Sequence, residues 1–284
     1  MSSEGDVAAQ QRDVWNAVSA GWANRGRDFE RGAAVVTERL LRSAPVRTGQ
    51  RILDVGSGIG EPAISAAEVV GPTGSVLGID LAEKMVELAR EHAGGRAGLA
   101  FEVGDVLAMD LPAGTFDVVL SRWGLMFAAD RVAALRAIRR VLVPGGVLSA
   151  AVWGPPPAVP MIGLGFRVIS GVLGLAPPPP GGPGPFTMSE PGLLEREVAE
   201  AGFAHVEVEA LTVPFVLDSA AHFAAYTKDV LPPGMRNAVR ERCGTLDAPE
   251  VWDAVAESAA EHTAPDGTVR LPSTSLCVRA EAPA

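Results

Sequence analysis

The sequence has little of several features that define other classes of protein. Only two of its 284 residues are cysteines, Cys243 and Cys277, and they stand far apart, so neither a disulfide framework nor a thiolate metal site is indicated. Acidic residues outnumber basic ones by 34 to 24, and the net charge of −10 argues against nucleic acid and anionic membranes as partners. The longest apolar stretch, Met161 to Ala176, contains Arg167 and falls short of the roughly 20 residues that span a bilayer.

The amino-terminal segment also lacks targeting features. Residues 1–15, MSSEGDVAAQQRDVW, are polar and acidic, without the apolar core of a secretory signal or the basic character of a mitochondrial presequence. Lys84 and Lys228 are the only lysines, and arginine with abundant alanine, glycine and proline indicates a high-GC bacterial source. We expect a cytoplasmic protein that acts on a small neutral or cationic molecule, with neither nucleic-acid binding nor membrane insertion. The sequence predicts no oligomeric state.

What the sequence does contain, from Arg51 to Gly154, is an alternation of short apolar runs with helical patterns, which is typical of β-α units around a parallel sheet. The predicted strands are Arg51 to Val55, Ser75 to Asp80, Leu99 to Gly104, Phe116 to Ser121 and Gly146 to Trp153. The predicted helices between them are Glu61 to Val70, Ala82 to His92 and Asp130 to Val143, the last ended by Pro144-Gly145-Gly146. The pattern predicts a doubly wound α/β fold.

The segments on both sides of this core predict covers for it. Two helices are predicted before the core, Val7 to Trp22 and Phe29 to Arg42, and Trp15 lies on the same helical face as Trp22. After the core, Pro-rich stretches at 155–157 and 177–185 bracket the apolar segment and suggest a cap hinged at both ends, with plain linkers that have no functional role as the alternative. The remaining predicted elements are a helix at Glu190 to Ala201, a strand at His205 to Phe215, two or three helices in Ser219 to His262 and a strand at Thr268 to Arg279.

These elements divide the chain into four predicted parts. Residues 1–48 form an N-terminal helical lid, and residues 49–154 form the doubly wound core. Residues 155–188 form a Pro/Gly-rich cap insertion. Residues 189–284 complete the core and add a helical substrate cap.

One acidic residue follows each of the first three predicted strands. Asp54 opens the glycine loop DVGSGIG, in which glycines between a strand and a helix let the backbone turn tightly beside a ligand. Asp80 ends the second strand, where a carboxylate can accept both ribose hydroxyls, and Asp105 follows the third, where it can accept from an adenine amino group. For each aspartate alone, a helix cap or a turn is the alternative, but the ordered series favours a nucleoside ligand.

The stretch from Arg51 to Gly154 resembles class I S-adenosylmethionine (SAM)-dependent methyltransferases, especially the ubiquinone/menaquinone-biosynthesis C-methyltransferase-like group. The motifs that carry the resemblance are ILDVGSGIGEPA, GIDLAEKMVELAR, FEVGDVLAMDLP, and FDVVLSRWGLMF followed by ALRAIRRVLVPGG. The resemblance implies SAM as cofactor and a seven-stranded sheet of order 3-2-1-4-5-7-6 whose last strand is antiparallel. The strand predicted at Thr268 to Arg279 agrees with that order.

The resemblance also implies roles for the predicted cofactor residues. The glycine loop faces the methionine part of SAM through Asp54, Gly56, Ser57, Gly58 and Gly60. The second and third strand ends face the ribose and adenine through Asp80, Leu81, Met85, Gly104, Asp105 and Val106. Ser121 and Arg122 lie on the reaction side, and Arg122 has an acidic substrate or Glu61 as its candidate partner.

Two tryptophans are candidate walls of the site. An indole face attracts a sulfonium cation by about 0.5 to 2 kcal/mol, which suggests Trp22 at the cofactor and Trp123 at the substrate. Met126 is a second predicted substrate contact. Core packing is the alternative for both tryptophans.

Methyl transfer from SAM needs orientation of the acceptor more than a dedicated acid or base, because the cofactor carries an activated methyl group. If a base is used, the candidates are His205 and the cluster of His222, Tyr226 and Asp229, whose i, i+4 and i+7 spacing places the cluster on one helical face. For each of the four, an exposed side chain or one paired within the core is the alternative. No metal ligand set is predicted. We expect methylation of an O, N or C centre of a small, apolar metabolite, as in natural product biosynthesis.

Some readings are disfavoured and others stay open. The fourth strand is followed by Ser121-Arg122-Trp123-Gly124 and not by Asn/Asp-Pro-Pro-Tyr/Phe, so the chain does not resemble nucleobase or glutamine N-methyltransferases. A nicotinamide-dependent dehydrogenase is disfavoured by Asp54 and the GxGxG spacing. A protein of this fold that binds SAM but catalyses another reaction, such as a cyclisation, remains the alternative, together with a SAM-binding regulator.

Overall fold

The computed structural model describes residues 4–176, 182–190 and 192–283. One seven-stranded sheet runs through the molecule in the order β3-β2-β1-β4-β5-β7-β6. The strands are β1 Arg51–Val55, β2 Ser75–Asp80, β3 Leu99–Val103, β4 Phe116–Arg122, β5 Leu142–Trp153, β6 Ala204–Leu217 and β7 Val269–Glu281. Strands β1 to β5 pair in parallel, and β7 is antiparallel to both β5 and β6. The predicted fold class and strand order are confirmed.

Helices cover both faces of the sheet. They are α1 Glu4–Ser43, α2 Ala63–Val70, α3 Glu83–Ala93, α4 Arg131–Val141, α5 Pro160–Leu173, α6 Leu193–Glu200, α7 Ala220–Val230, α8 Pro233–Cys243 and α9 Pro249–Ser258. The predicted helix Asp130 to Val143 ends at Val141, because Leu142 already pairs with Phe116 as the first residue of β5. The segment from Ser219 to His262 contains three α-helices, where two or three were predicted.

The amino-terminal region differs from its prediction, because one continuous helix replaces the two predicted there. Interior glycines weaken an isolated helix by about 1 kcal/mol each, and α1 contains three that meet other elements closely. A Cβ atom on Gly21 would lie 1.8 Å from the Asp229 carbonyl oxygen, and one on Gly32 would lie 2.5 Å from Phe215. A Cβ on Gly26 would lie 2.6 Å from Ile59. The glycines of α1 therefore permit close packing and do not end the helix.

The hydrophobic core lies on both faces of the central strands. Leu53 of β1, Val119 of β4 and Leu148 of β5 are fully buried, as expected for parallel strands that are covered by helices on both sides. The apolar segment after the core forms α5, which packs against α9 and β7, while α7 packs against α9 and α1. Part of the predicted hinge, residues 177–181, lies outside the described residues. In the described ranges, none of the helices is long and apolar enough to cross a membrane.

Candidate active site

A cavity of about 290 Å³ lies where the carboxyl ends of β1, β2 and β4 face three of the helices. In a doubly wound sheet this is the expected position of a ligand, since the strand order reverses between β1 and β4. We call the loops after β1 to β4 the strand-end wall of the cavity, and we call α1, α5 and α7 the helical wall. The two walls are built from different kinds of residue.

The glycine loop after β1 forms the centre of the strand-end wall. The backbone N–H groups of Gly56 and Ser57 both donate to the Ile79 carbonyl oxygen, at 2.8 and 3.0 Å, which fixes the loop on β2. Gly56 has a φ of +73°, and a Cβ there would lie 3.0 Å from the Gly124 Cα atom. Gly58 has a φ of +52°, and a Cβ there would meet nothing within 4 Å, because its position faces open space. The loop is therefore held firmly on the side that faces β2 and Gly124, and it is open on the side that faces the cavity.

Two of the predicted aspartates face the cavity beside this loop. The Asp80 carboxylate accepts hydrogen bonds from the N–H groups of Gly58 and Ala82, both at 2.9 Å. Burial raises the pKa of Asp80 and these backbone bonds oppose the increase. Asp105 accepts from the Leu107 N–H at 2.9 Å. Each aspartate thus makes the turn bond that the alternative interpretation required, and each also lines the cavity.

Asp54 requires a correction, because it does not line the cavity. Its side chain is fully buried behind the glycine loop, where Oδ2 accepts from the Ala63 N–H at 3.2 Å and Oδ1 has no partner among the described residues. Burial raises the pKa of Asp54 to about 8, against the opposing charge of Arg122. Gly60 and Ser121 likewise lie outside the lining, and the Ser121 hydroxyl donates to the Val55 carbonyl oxygen at 2.7 Å. These residues support the loop from behind.

Arg122 lines the cavity, but its partner is not the one predicted. Its guanidinium donates to the Glu30 carboxylate, with one bond of 2.8 Å, and to the Thr37 hydroxyl at 2.8 Å. Both partners lie on α1, so this ion pair joins the strand-end wall to the helical wall. The predicted partner, Glu61, makes no ion pair among the described residues.

Glu61 is a cavity residue that the sequence analysis mentioned only as a partner. It is half-buried, and its carboxylate accepts hydrogen bonds from Ser65, among them the bond from the Ser65 N–H to Oε2 at 3.2 Å. Burial raises the pKa of Glu61, and the hydrogen bond from Ser65 and the charge of Arg122 oppose the increase. Its place directly after the glycine loop is the signal that would have identified it.

Aromatic side chains form much of the rest of the lining. Trp123 stacks on Trp153 with a ring separation of 4.0 Å, and its indole N–H donates to the Ser275 hydroxyl at 3.0 Å. Phe29 meets Trp22 edge-on at 4.9 Å and Trp123 at 5.2 Å. Both predicted tryptophans therefore line the cavity and also pack in an aromatic cluster. Phe29 and Trp153 were not predicted.

The predicted catalytic cluster needs a second correction, since only one of its members lines the cavity. His222 contacts Asp28 with Nε2 to Oδ2 at 2.9 Å, and Asp229 accepts from the Arg25 side chain at 2.7 Å. The three residues do share a helical face of α7, but that face packs on α1, whose charged residues pair with two of them. His205, at the start of β6, also lies outside the lining.

Tyr226 is the member of this cluster that faces the cavity. It is 3% exposed, and its hydroxyl has no hydrogen-bond partner within the described part of the chain. Burial raises the pKa of Tyr226, with further contributions from the charges of Asp28 and Glu30. The phenol is therefore neutral at physiological pH and is a hydrogen-bond donor, not a base.

The cavity brings together most of the predicted residues, and all of them except Trp22, which lies on α1, belong to its strand-end side. Those that line the cavity are Trp22, Gly56, Ser57, Gly58, Asp80, Leu81, Met85, Gly104, Asp105, Val106, Arg122, Trp123 and Met126. The residues that sequence reasoning missed belong chiefly to the helical wall, where periodicity marks a buried face without saying what it faces.

The chemistry of this wall fits SAM. The buried Ser57 hydroxyl lacks a hydrogen-bond partner among the described residues, and the space in front of Gly58 would be filled by a Cβ. Asp80 and Asp105 offer fixed acceptors for ribose hydroxyls and an adenine amino group. Four carboxylates and one guanidinium line the cavity, which suits a ligand that carries a sulfonium cation. In the part of the chain that the structure describes, His, Cys, Asp and Glu side chains form no group of three that could hold a metal ion.

Comparison with known proteins agrees with this assignment. Residues 53–150 match the model of the family described as "Methyltransferase domain". The chain is 31% identical over 194 residues to the demethylmenaquinone methyltransferase of Staphylococcus aureus, which covers 62% of this chain and 76% of that protein.

Solved structures share the fold. The YcgJ protein from Bacillus subtilis aligns with a TM-score of 0.57 at 16% identity, over 87% of this chain and 98% of that one. The [4+2]-cyclase SpnF aligns with a TM-score of 0.53 at 19% identity, over 88% and 81% of the two chains. The phosphoethanolamine N-methyltransferase 2 of Haemonchus contortus aligns with a TM-score of 0.58 at 21% identity, over 100% and 61%. With the sheet order, the cavity and the sequence relationship in agreement, the chain belongs to the class I SAM-dependent methyltransferases, in their ubiquinone/menaquinone C-methyltransferase-like group.

Proposed function

We propose that this methyltransferase transfers the methyl group of SAM to an oxygen, nitrogen or carbon atom of a small, largely apolar metabolite, in bacterial secondary metabolism. The observation that carries the proposal is the composition of the helical wall. The apolar residues that it contributes to the cavity are Val14, Trp15, Val18, Trp22, Phe29, Met161, Ile162, Phe166 and Val230. A wall of this kind favours an apolar, flat acceptor and excludes water from the reacting atoms.

The polar groups beside this apolar surface are few, and they suit orientation of the acceptor. Tyr226 presents a neutral hydroxyl that has no hydrogen-bond partner among the described residues, and a buried tyrosine hydroxyl usually finds one. We propose that it donates a hydrogen bond to an oxygen or nitrogen atom of the acceptor. SAM supplies the activated methyl group, so the remaining work of the protein is to hold the acceptor in line with it. His222 and Asp229 have no part in this proposal, because both are paired with α1 away from the cavity.

The covers of the cavity complete the proposal. We propose that α1 is the lid and that the segment 155–188, which contains α5, is the cap. Both contribute lining residues, so both must be in place for the acceptor to be enclosed. The charge and composition of the chain support a small molecule as its partner and the cytoplasm as its location.

The test is production of S-adenosylhomocysteine (SAH) and methylated product from SAM with a panel of acceptors. Because a relative is a demethylmenaquinone methyltransferase, the panel begins with naphthoquinols that carry short apolar chains and continues with apolar phenols and amines. Ile162→Trp narrows the helical wall and is expected to abolish transfer while SAM affinity changes less than about threefold, because the strand-end wall is untouched. Transfer that prefers large, highly charged acceptors would contradict the proposal.

The same assay distinguishes methyl transfer from an alternative reaction, such as a cyclisation in which no methyl group moves. The fold that the chain shares with SpnF is compatible with it, although a likeness at 19% identity concerns the fold alone. In that case the true substrate would be converted while SAM remains unconsumed. Formation of SAH in step with product would exclude it.

A further inference from the structure

We propose that Glu61 recognises the positive charge on the sulfur of SAM, and that it makes the site bind SAM more tightly than SAH. The proposal rests on methyl transfer from SAM and not on the identity of the acceptor. It assigns a role to a cavity residue that belongs to neither the strand-end aspartates nor the predicted catalytic cluster.

The charges around the cavity single out Glu61. Among the described residues of the lining, Arg122 is the one Arg, Lys or His, and its guanidinium already donates to Glu30 and Thr37. Asp80 accepts two backbone N–H groups, and Glu30 accepts the guanidinium. Glu61 accepts hydrogen bonds from Ser65 alone, one of them a long bond of 3.2 Å from the Ser65 N–H, and it pairs with no cationic side chain among the described residues. Of the two glutamates in the lining, Glu61 is therefore the one without an ion pair in the described structure.

The position of Glu61 places this carboxylate near the methionine part of the cofactor. It follows Gly60 directly, so it belongs to the same loop whose Gly56, Ser57 and Gly58 line the cavity. The charges that act on it are those of Arg122 and Glu30, which lie at the junction of the strand-end and helical walls. A bound SAM would carry its sulfur at this junction, because its methyl group would have to face an acceptor held at the helical wall.

Burial makes this carboxylate selective for a cation. Removal of a carboxylate from water penalises its charged form, and burial raises the pKa of Glu61 accordingly. A cation within a few ångströms offsets that penalty, since Coulomb interactions are stronger away from bulk water. A neutral ligand at the same position does not offset the cost of burying the charged carboxylate.

The reaction changes the charge that Glu61 meets. The bond between sulfur and the methyl carbon breaks and sulfur keeps its electron pair, while an electron pair of the acceptor forms the new bond to the methyl carbon, and any proton that the acceptor loses passes to solvent. The sulfur is positive before this step and neutral after it. The same carboxylate that favours binding of SAM therefore contributes nothing to retention of SAH, and this difference promotes product release.

Calorimetric titration with three cofactor probes tests the proposal without an acceptor. SAM and sinefungin carry a positive charge at or beside the sulfur position, whereas SAH is neutral there. We expect Glu61→Gln to weaken SAM and sinefungin about tenfold and SAH less than about twofold, and Glu61→Asp to weaken SAM less than Glu61→Gln does. Glu91→Gln, which removes the same charge from an exposed position of α3, is the matched control and should leave all three affinities unchanged.

The outcomes are distinguishable. Equal losses of SAM and SAH affinity would overturn the proposal, because Glu61 would then contact a group that both ligands share or would only support the loop. Unchanged affinities would overturn it as well. Failure of the unmodified protein to bind SAM would instead contradict the cofactor assignment itself. The thermal unfolding midpoint of each variant, measured without ligand, shows whether the fold is intact.

Discussion

The two walls of the cavity differ in how their residues are distributed along the chain. The strand-end wall comes from short segments that each follow a strand, and its roles are carried by glycines and aspartates at fixed places. The helical wall is assembled from α1, α5 and α7, and residues as distant as Phe29 and Tyr226 meet there. The difference teaches that the wall proposed for the cofactor is built from segments that are local in sequence, whereas the wall proposed for the acceptor depends on packing between distant helices.

The ion pair between Arg122 and Glu30 joins the two walls, and its removal is the first test of this comparison. Arg122→Met leaves the half-buried Glu30 carboxylate without its partner, and we expect the free energy of unfolding to fall by about 2 to 3 kcal/mol. The double variant Arg122→Met, Glu30→Gln removes both charges and should recover part of the loss. Urea unfolding measures both effects. A single variant as stable as the unmodified protein would mean that the walls are joined by apolar packing alone.

The glycine loop provides a second test, on the strand-end wall alone. Gly56→Val places a β-branched residue at a φ of +73° and its Cβ against the Gly124 backbone, so we expect SAM affinity to fall about a hundredfold, or about 2.7 kcal/mol. Gly171→Ala is the control, because a Cβ at that helical position meets nothing within 4 Å. Calorimetric titration with SAM compares the two. An equal affinity in both variants would show that the loop does not shape the cofactor site.

Asp54 sharpens the comparison through pH, because it supports the strand-end wall without lining it. Its pKa is raised from 3.8 to about 8, so burial of the ionised form costs stability that the acid form does not. Asp54 therefore takes nothing from the free energy of unfolding below about pH 4, where it is protonated in both the folded and the unfolded chain. As pH rises from 4 towards 8, the free energy of unfolding falls by up to about 1.4 kcal/mol per pH unit because of this one group. Asp54→Asn should abolish that slope. Urea unfolding at several pH values without SAM measures it, and parallel slopes would contradict the argument.

The smallest effect is expected on the helical wall, at His222. His222→Ala removes the contact with Asp28, and we expect a loss of about 1 kcal/mol in the free energy of unfolding with no change in SAM affinity or methyl transfer. Tyr226→Phe is the companion variant, expected to keep SAM affinity and to lower transfer. If His222→Ala instead abolished transfer in a folded protein, the original cluster of three catalytic residues would be right.

The elements themselves show how far sequence reasoning reached. β1 and β2 have the bounds that were predicted for them, because each is a short apolar run closed by glycine or aspartate, and these signals are local. α1 was predicted as two helices, because the residues that pack against its glycines, such as Asp229 and Phe215, lie far away in the sequence. Prediction from the sequence pattern was therefore right for elements whose bounds are set by residues close to them in the sequence.

The candidate site divides in the same way. Asp80, Asp105 and the glycine loop were recognisable from their order behind successive strands. The partner of Arg122 was not, since Glu30 stands 92 residues before it in the sequence. The i, i+4 and i+7 spacing correctly placed His222, Tyr226 and Asp229 on one face of a helix, but spacing cannot show that this face meets Arg25 and Asp28 of α1.

By itself, the sequence determined the family, the cofactor and the strand-end wall, because parallel strands bring their carboxyl ends to one edge whatever covers the sheet. Only the tertiary structure decided that Asp54 supports the loop from behind, that Tyr226 alone of its cluster faces the cavity, and that Glu61 lies there without an ion pair to any described residue. Each of those outcomes depends on which charges and rings the helices bring against the sheet. Burial and pairing are relations between distant residues, and for that reason they are settled only when the chain is folded.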